Sequence, residues 1–140
     1  MTSYQKIYDR FERLIVDYDL NELLPTTKAE VELGFLQSAI TYYFTSSKDL
    51  SNRDDVNLTF NFDLTELEQE ILANYMVVAW IQPYMNSQDL FEQHFITSEY
   101  KAFSSANKIN ALEKAYNMAN KNASVLATKN SIKNIAGGLK

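Results

Sequence analysis

The sequence predicts an all-α protein, a small helical bundle with a nearly all-apolar central helix, one extended arm at about residues 56–64 and a long C-terminal helix. Three observations predict it. Apolar residues recur every three or four positions over residues 3–18 and again over 105–133, the period of one helix face. Two capping boxes, Thr27 with Glu30 and Thr65 with Glu68, mark helix starts. The run ILANYMVVAWI (71–81) has Asn74 as its only strongly polar side chain, and a helix apolar on nearly all sides has to be surrounded. With 140 residues, 46% of them hydrophobic and 22% charged, the chain can fill one core but not two. A compact fold would have a radius of gyration of about 14 Å.

Helix one carries Tyr4, Ile7, Tyr8, Phe11, Leu14, Ile15 and Tyr18 as a single stripe, with charged residues between them. Leu23 and Leu24 run into Pro25, after which the Thr27 box opens helix two. Its apolar side is expected to hold Val31, Phe35, Ala39, Tyr42 and Tyr43, widened by Leu33, Leu36, Ile40 and Phe44. Gly34 either permits a close approach or is a tolerated helix glycine costing about 1 kcal/mol relative to alanine.

From Val56, the residues Val56, Leu58, Phe60, Phe62 and Leu64 alternate with Asn57, Thr59, Asn61 and Asp63, the period of a half-buried strand. No convincing second strand is present in the sequence. A lone strand leaves backbone groups unpaired, so this arm either packs on its own helices or pairs with an edge on another subunit. The Thr65 box then starts the central helix, whose core residues are Leu67, Ile71, Tyr75, Met76, Val78, Ala79 and Trp80. Pro83 is expected to end or kink it, because its ring disfavours helical geometry at Gln82. A short helix after Asn86 and Ser87 would present Leu90, Phe91 and Phe95. The last helix carries Ile109, Leu112, Tyr116, Ala119, Ala123 and Leu126, and if helical over 105–133 it would be about 43 Å long. Its apolar face shrinks to alanine, so the distal half is expected to depend on a neighbour. Residues 1–133 read as a single domain and 134–140, with Gly137 and Gly138, as a short tail.

Charge is divided sharply along the chain. The net charge of −5 conceals seventeen acids and six bases in residues 1–100, against Glu113 and seven lysines in residues 101–140. Nine Tyr, eight Phe and one Trp exceed what a small core needs, and ring-rich surfaces suit subunit contacts. The absence of cysteine removes disulfides, thiolate nucleophiles and cysteine metal sites. No apolar run reaches the roughly 18–20 residues of a membrane span, and the N-terminus lacks a signal-peptide pattern, so cytoplasmic synthesis and no membrane partner are expected.

Catalytic chemistry is hard to assemble. His94 is the sole histidine, which rules out a histidine metal cluster. Asp54, Asp55 and Asp63 lack calcium-loop spacing, and Glu66 and Glu70 suit the first turn of a helix better than an acid/base couple. None of the three glycines forms a phosphate-cradling pattern. The expectation is no enzyme, no metal and no cofactor. Lys101, Lys108, Lys114, Lys121, Lys129 and Lys133 form either a phosphate-binding patch or a solvated, partner-docking face; the helix has no arginine, the usual reader of base edges.

Four segments together carry a resemblance: KDLSNRDD (48–55), FNFDLTELEQEILANYMVVAWIQP (60–83), MNSQDLF (85–91) and SSANKINALEKA (104–115). In this order they resemble the head-tail connector (adaptor) type of neck protein from tailed bacteriophages of Gram-positive hosts. The likeness covers roughly residues 40–116, and the ending SVLATKNSIKNIAGGLK departs from the more charged last helix of such proteins. The resemblance implies a virion protein made in the host bacterial cytoplasm, without catalysis. It would form a homo-oligomeric ring of about twelve copies between the portal protein and a further neck or tail protein. DNA would pass through the channel without specific binding, since a ring carrying about −60 repels its cargo. On this reading Val56, Leu58, Phe60 and Phe62 contact the adjacent subunit. Lys121, Leu126, Lys129, Ile132, Lys133, Ile135 and Leu139 dock onto the portal. The competing expectations are a small helical DNA-binding or regulatory protein using the C-terminal lysines, and a tail-side or decoration protein of the virion.

Overall fold

In a computed structural model, residues 1–18, 29–86 and 105–138 are described. They form four helices and one minimal sheet: α1 (Tyr4–Asp17), α2 (Ala29–Tyr42), β1 (Arg53–Asp54), β2 (Thr59–Phe60), α3 (Glu66–Asn86) and α4 (Ser105–Gly138). The protein is a mostly helical bundle, as the apolar periodicities predict.

Ser3 starts α1 from an extended conformation, and its hydroxyl accepts the Gln5 N–H at 3.2 Å. The stripe then buries Tyr4, Ile7, Tyr8, Phe11, Leu14 and Ile15, each contributing roughly 1.5–3 kcal/mol relative to exposure. In α2 the buried line is Glu32, Leu36, Ala39 and Tyr43, while Leu33, Phe35, Ile40 and Tyr42 are half-buried. Val31 and Phe44 face solvent, contrary to expectation; Phe44 lies beyond the last helical residue and so leaves the phase of the helix. Nothing lies within 4 Å of where a Cβ on Gly34 would stand, so that glycine is not there for close packing. The Thr27 box and the expected short helix with Leu90, Phe91, His94 and Phe95 lie outside the described residues.

The arm is the largest correction. It is not a continuous strand over 56–64, and its backbone pairs within the chain. Only Thr59–Phe60 is a strand, antiparallel to Arg53–Asp54 with Arg53 opposite Phe60 and Asp54 opposite Thr59. The N-terminus supplies the other edge: Thr2 N–H donates to the Phe62 carbonyl (3.0 Å), Phe60 N–H to the Thr2 carbonyl (2.8 Å) and Tyr4 N–H to the Leu58 carbonyl (2.9 Å). Between the strands the chain turns. Asp54 accepts the Val56 and Asn57 N–H groups at 2.9 and 3.0 Å, and Leu58 takes a left-handed φ of 57°. Alternation therefore breaks at Val56, which stands on the turn.

The Thr65 capping box forms as predicted, with Thr65 N–H donating to Glu68 Oε1 at 2.9 Å and Glu68 N–H to Thr65 Oγ1 at 3.1 Å. From it rises α3, against which α1, α2 and α4 all pack. Ile71, Met76, Val78, Ala79 and Trp80 are buried, Leu67 and Tyr75 half-buried. Helix α3 passes through Pro83 to Asn86 instead of ending there. The proline ring is exposed and only one turn from the helix end, so it interrupts little backbone pairing. The last helix also outruns its expected end at 133: α4 is 34 residues, about 51 Å, and includes most of the expected tail. Its buried line is Leu112, Ala115, Ala119, Ala123, Ala127 and Asn130. The distal half is thus packed within its own bundle as far as Asn130, because alanines let two helix backbones approach closely.

Candidate interaction surfaces

Two regions hold the residues expected to make contacts outside the subunit. The first is the tip of the β1–β2 turn. Beneath it, Asp55 accepts a hydrogen bond from Tyr4 OH at 2.5 Å, from Arg53 Nε at 3.1 Å and from Gln37 Nε2 at 3.4 Å. The tyrosine hydrogen bond and the neighbouring guanidinium hold the Asp55 carboxyl below its usual range. Burial, then Asp55 itself, pushes the Tyr4 phenol up. On this fixed base Val56 is 90% exposed. Leu58 and Phe62 are half-buried. Phe60 is wholly enclosed, its ring 5.0 Å from that of Tyr4 and 5.7 Å from that of Phe62. The four residues expected to contact a neighbour are therefore not brought to one surface. Phe60 belongs to the subunit's own core, and Val56 is the one fully presented.

The second region is α4. Lys121, Lys129 and Lys133 are exposed, as are Ile132 and Ile135. Leu126 is half-buried and lines a hollow of about 250 Å³ with Leu14, Tyr18 and Val125. Leu139 lies outside the described residues. Among the described residues, three side-chain hydrogen bonds hold the helix to other elements: Asn122 Nδ2 donates to Tyr18 OH (3.0 Å), Asn130 Nδ2 to Tyr43 OH (3.0 Å) and Asn134 Nδ2 to Ser47 Oγ (2.9 Å). Every ion pair among the described residues lies within residues 1–70, including Arg10 with Glu70 (2.9 Å) and Lys48 with the buried Glu68 (2.5 Å). Lys114, Lys121, Lys129 and Lys133 of α4 take part in none.

The acids considered for metal or proton chemistry have other duties. Asp54 closes the turn, Asp55 anchors Tyr4, Asp63 meets the N-terminal amine and Glu70 pairs with Arg10. Among the described residues no group of three or more His, Cys, Asp or Glu could hold a metal ion, and no helix is long and apolar enough to cross a membrane. One buried acid escaped sequence reasoning. Glu32 on α2 is 4% exposed, and its Oε2, like the Tyr8 hydroxyl of α1, has no hydrogen-bond partner. Burial foremost, then the charges of Glu12 and Asp9, pushes its carboxyl up to about 7. Its place at one heptad step before Ala39, in a helix otherwise apolar on that line, was the available signal.

No protein-family model, curated protein or solved structure matches this chain.

Proposed function

We propose that the chain is a structural subunit of a tailed-phage virion, a head-tail connector that forms a ring at the neck between portal and tail. The observation that carries this reading is the contrast on α4. One face is buried in the bundle by alanine, while the other leaves large apolar side chains and unpaired lysines facing outward. A helix that is both fully anchored and outwardly adhesive suits assembly better than turnover of a substrate. The four-segment resemblance supplies the kind of assembly. The Val56 tip contacts the adjacent subunit, and heterologous contacts of this sort close into rings when the rotation fits. The end of α4, through Lys129, Ile132, Lys133 and Ile135, docks onto the portal. The genome passes through a net-negative channel that does not retain it.

Native mass spectrometry of the purified chain, together with imaging of particles carrying a labelled copy, tests this. Closed oligomers of about twelve copies and density at the portal vertex are expected. A monomer absent from particles would overturn it. Deleting residues 132–140 leaves the buried Asn130 in place, and should abolish portal attachment without unfolding the bundle. The exposed lysines favour a second reading as a DNA-binding protein. It requires salt-dependent binding of the isolated chain to duplex DNA, with a slope set by the phosphates neutralised.

A further inference from the structure

Met118, Val125 and Ile132 are seven residues apart on α4, and all three are exposed, by 42%, 43% and 62%. A seven-residue repeat drifts only about 20° per step on a straight helix, so the three form one row about 21 Å long. The row lies on the side of α4 away from the buried alanine line. It runs beside two hollows at the boundary with the end of α1, both lined by Tyr18. Met118 borders one of about 310 Å³, and Val125 borders the other, of about 250 Å³. Ala111, Ala115 and Tyr18 form the apolar part of the first hollow and Leu14, Tyr18 and Leu126 that of the second, with Lys114 and Lys129 at their respective edges.

Charge decides what fits it. Lys114, Lys121 and Lys129 flank the row, unpaired, while Glu113, the only acid of α4, lies about 140° around the helix from Met118. The acids nearest the hollows are Asp17 and Glu70, and Glu70 is neutralised by Arg10. A second copy of α4 is a poor occupant, since lysine would oppose lysine. The chain's own exposed α1 face fits no better, because it offers a single apolar residue, Val16, among charges of both signs. Nucleic acid has no use for a central apolar row and would favour arginine.

We propose that this row is a docking seam for an acidic amphipathic helix of a partner protein, lying along α4 with its apolar residues in the two hollows and its carboxylates against the lysines. The proposal rests on the reading of the chain as an assembly subunit and names the chemistry of the partner that α4 meets. About four turns of helix contact fall below the roughly 1,200 Å² of a stable interface. Single copies therefore bind weakly, and a ring binds firmly through repetition.

The test uses the full chain, whose lack of cysteine allows one environment-sensitive dye on Val125→Cys. The probes are a 21-residue helical peptide with heptad leucines flanked by glutamate, the same peptide flanked by lysine, and a 20-base-pair duplex. Binding of the glutamate peptide alone, with a dye shift toward an apolar environment and weakening as salt is raised, is expected. In the undyed chain, Ile132→Asp and Met118→Asp should each lower affinity about tenfold while leaving the circular dichroism unchanged. Equal binding of both peptides, no binding of the glutamate peptide, or indifference to these substitutions would overturn the proposal, as would tighter binding of the duplex. Sedimentation of the same samples separates the two readings: rings without peptide binding sink only the seam, and peptide binding by a monomer sinks only the ring.

Discussion

The N-terminal clasp and the C-terminal helix solve the same packing problem with opposite materials. Around Tyr4, Tyr8, Phe11 and Phe60, large rings fill space, backbone pairing ties residues 2–4 to residues 58–62, and ion pairs close the margins. Along α4 the interior line after Leu112 is mostly alanine, polar ties come from three asparagines, and Met118, Val125, Ile132 and Ile135 point outward. The clasp determines the subunit's own shape. The helix is held by close approach, which leaves its outer face exposed.

The largest loss of stability is expected at the clasp. Phe60→Ala should lower stability by about 3–5 kcal/mol, measured by chemical denaturation, because a wholly enclosed ring leaves a cavity. A loss below about 1 kcal/mol would show that the clasp is not the keystone. On α4 the failure should come from the other direction. Ala123→Leu inserts bulk into the tight line and should cost about 1–3 kcal/mol, whereas the same leucine at the outward Val125 should cost almost nothing.

Glu32 sharpens the picture of the α1–α2 contact. Its folded carboxyl, near 7, lies above its ordinary value of 4.5, so the folded chain keeps a proton that the unfolded chain releases. Stability contributed by this group is present below about pH 4.5 and is lost as pH rises toward 7. Glu32→Gln should remove that slope, leaving the variant more stable at pH 8 by the order of 2 kcal/mol and little changed at pH 4.5, as read from thermal melts across pH. The smallest effect is expected at Gly34. With open space around it, Gly34→Ala should stabilise α2 by up to about 1 kcal/mol, seen as a modest rise in Tm.

Local rules carried much of the fold. The α1 stripe, the Thr65–Glu68 box and the greasy run to Ile81 were legible because each depends on neighbours within a turn or two. What escaped depends on distance. The arm's partner is the N-terminus, some sixty residues away, and no period in 56–64 points to Thr2. Pro83 reads as an end or a kink by local preference, yet α3 runs on through it to Asn86. On α4 the stripe reading places Leu112, Ala119 and Ala123 inside, as they are, but takes Tyr116 and Leu126, which are only half-buried, in place of Ala115 and Ala127, whose value appears once α3 lies against them. The same effect hid the outward row: Met118, Val125 and Ile132 are legible as a heptad, but only the fold shows which side is free.

Because Asn122, Asn130 and Asn134 fasten one rigid rod to the ends of two other helices and to the loop at Ser47, a pull on the far end of that rod is shared among three anchorages instead of peeling away one. Freeing that end should therefore take the loss of all three together.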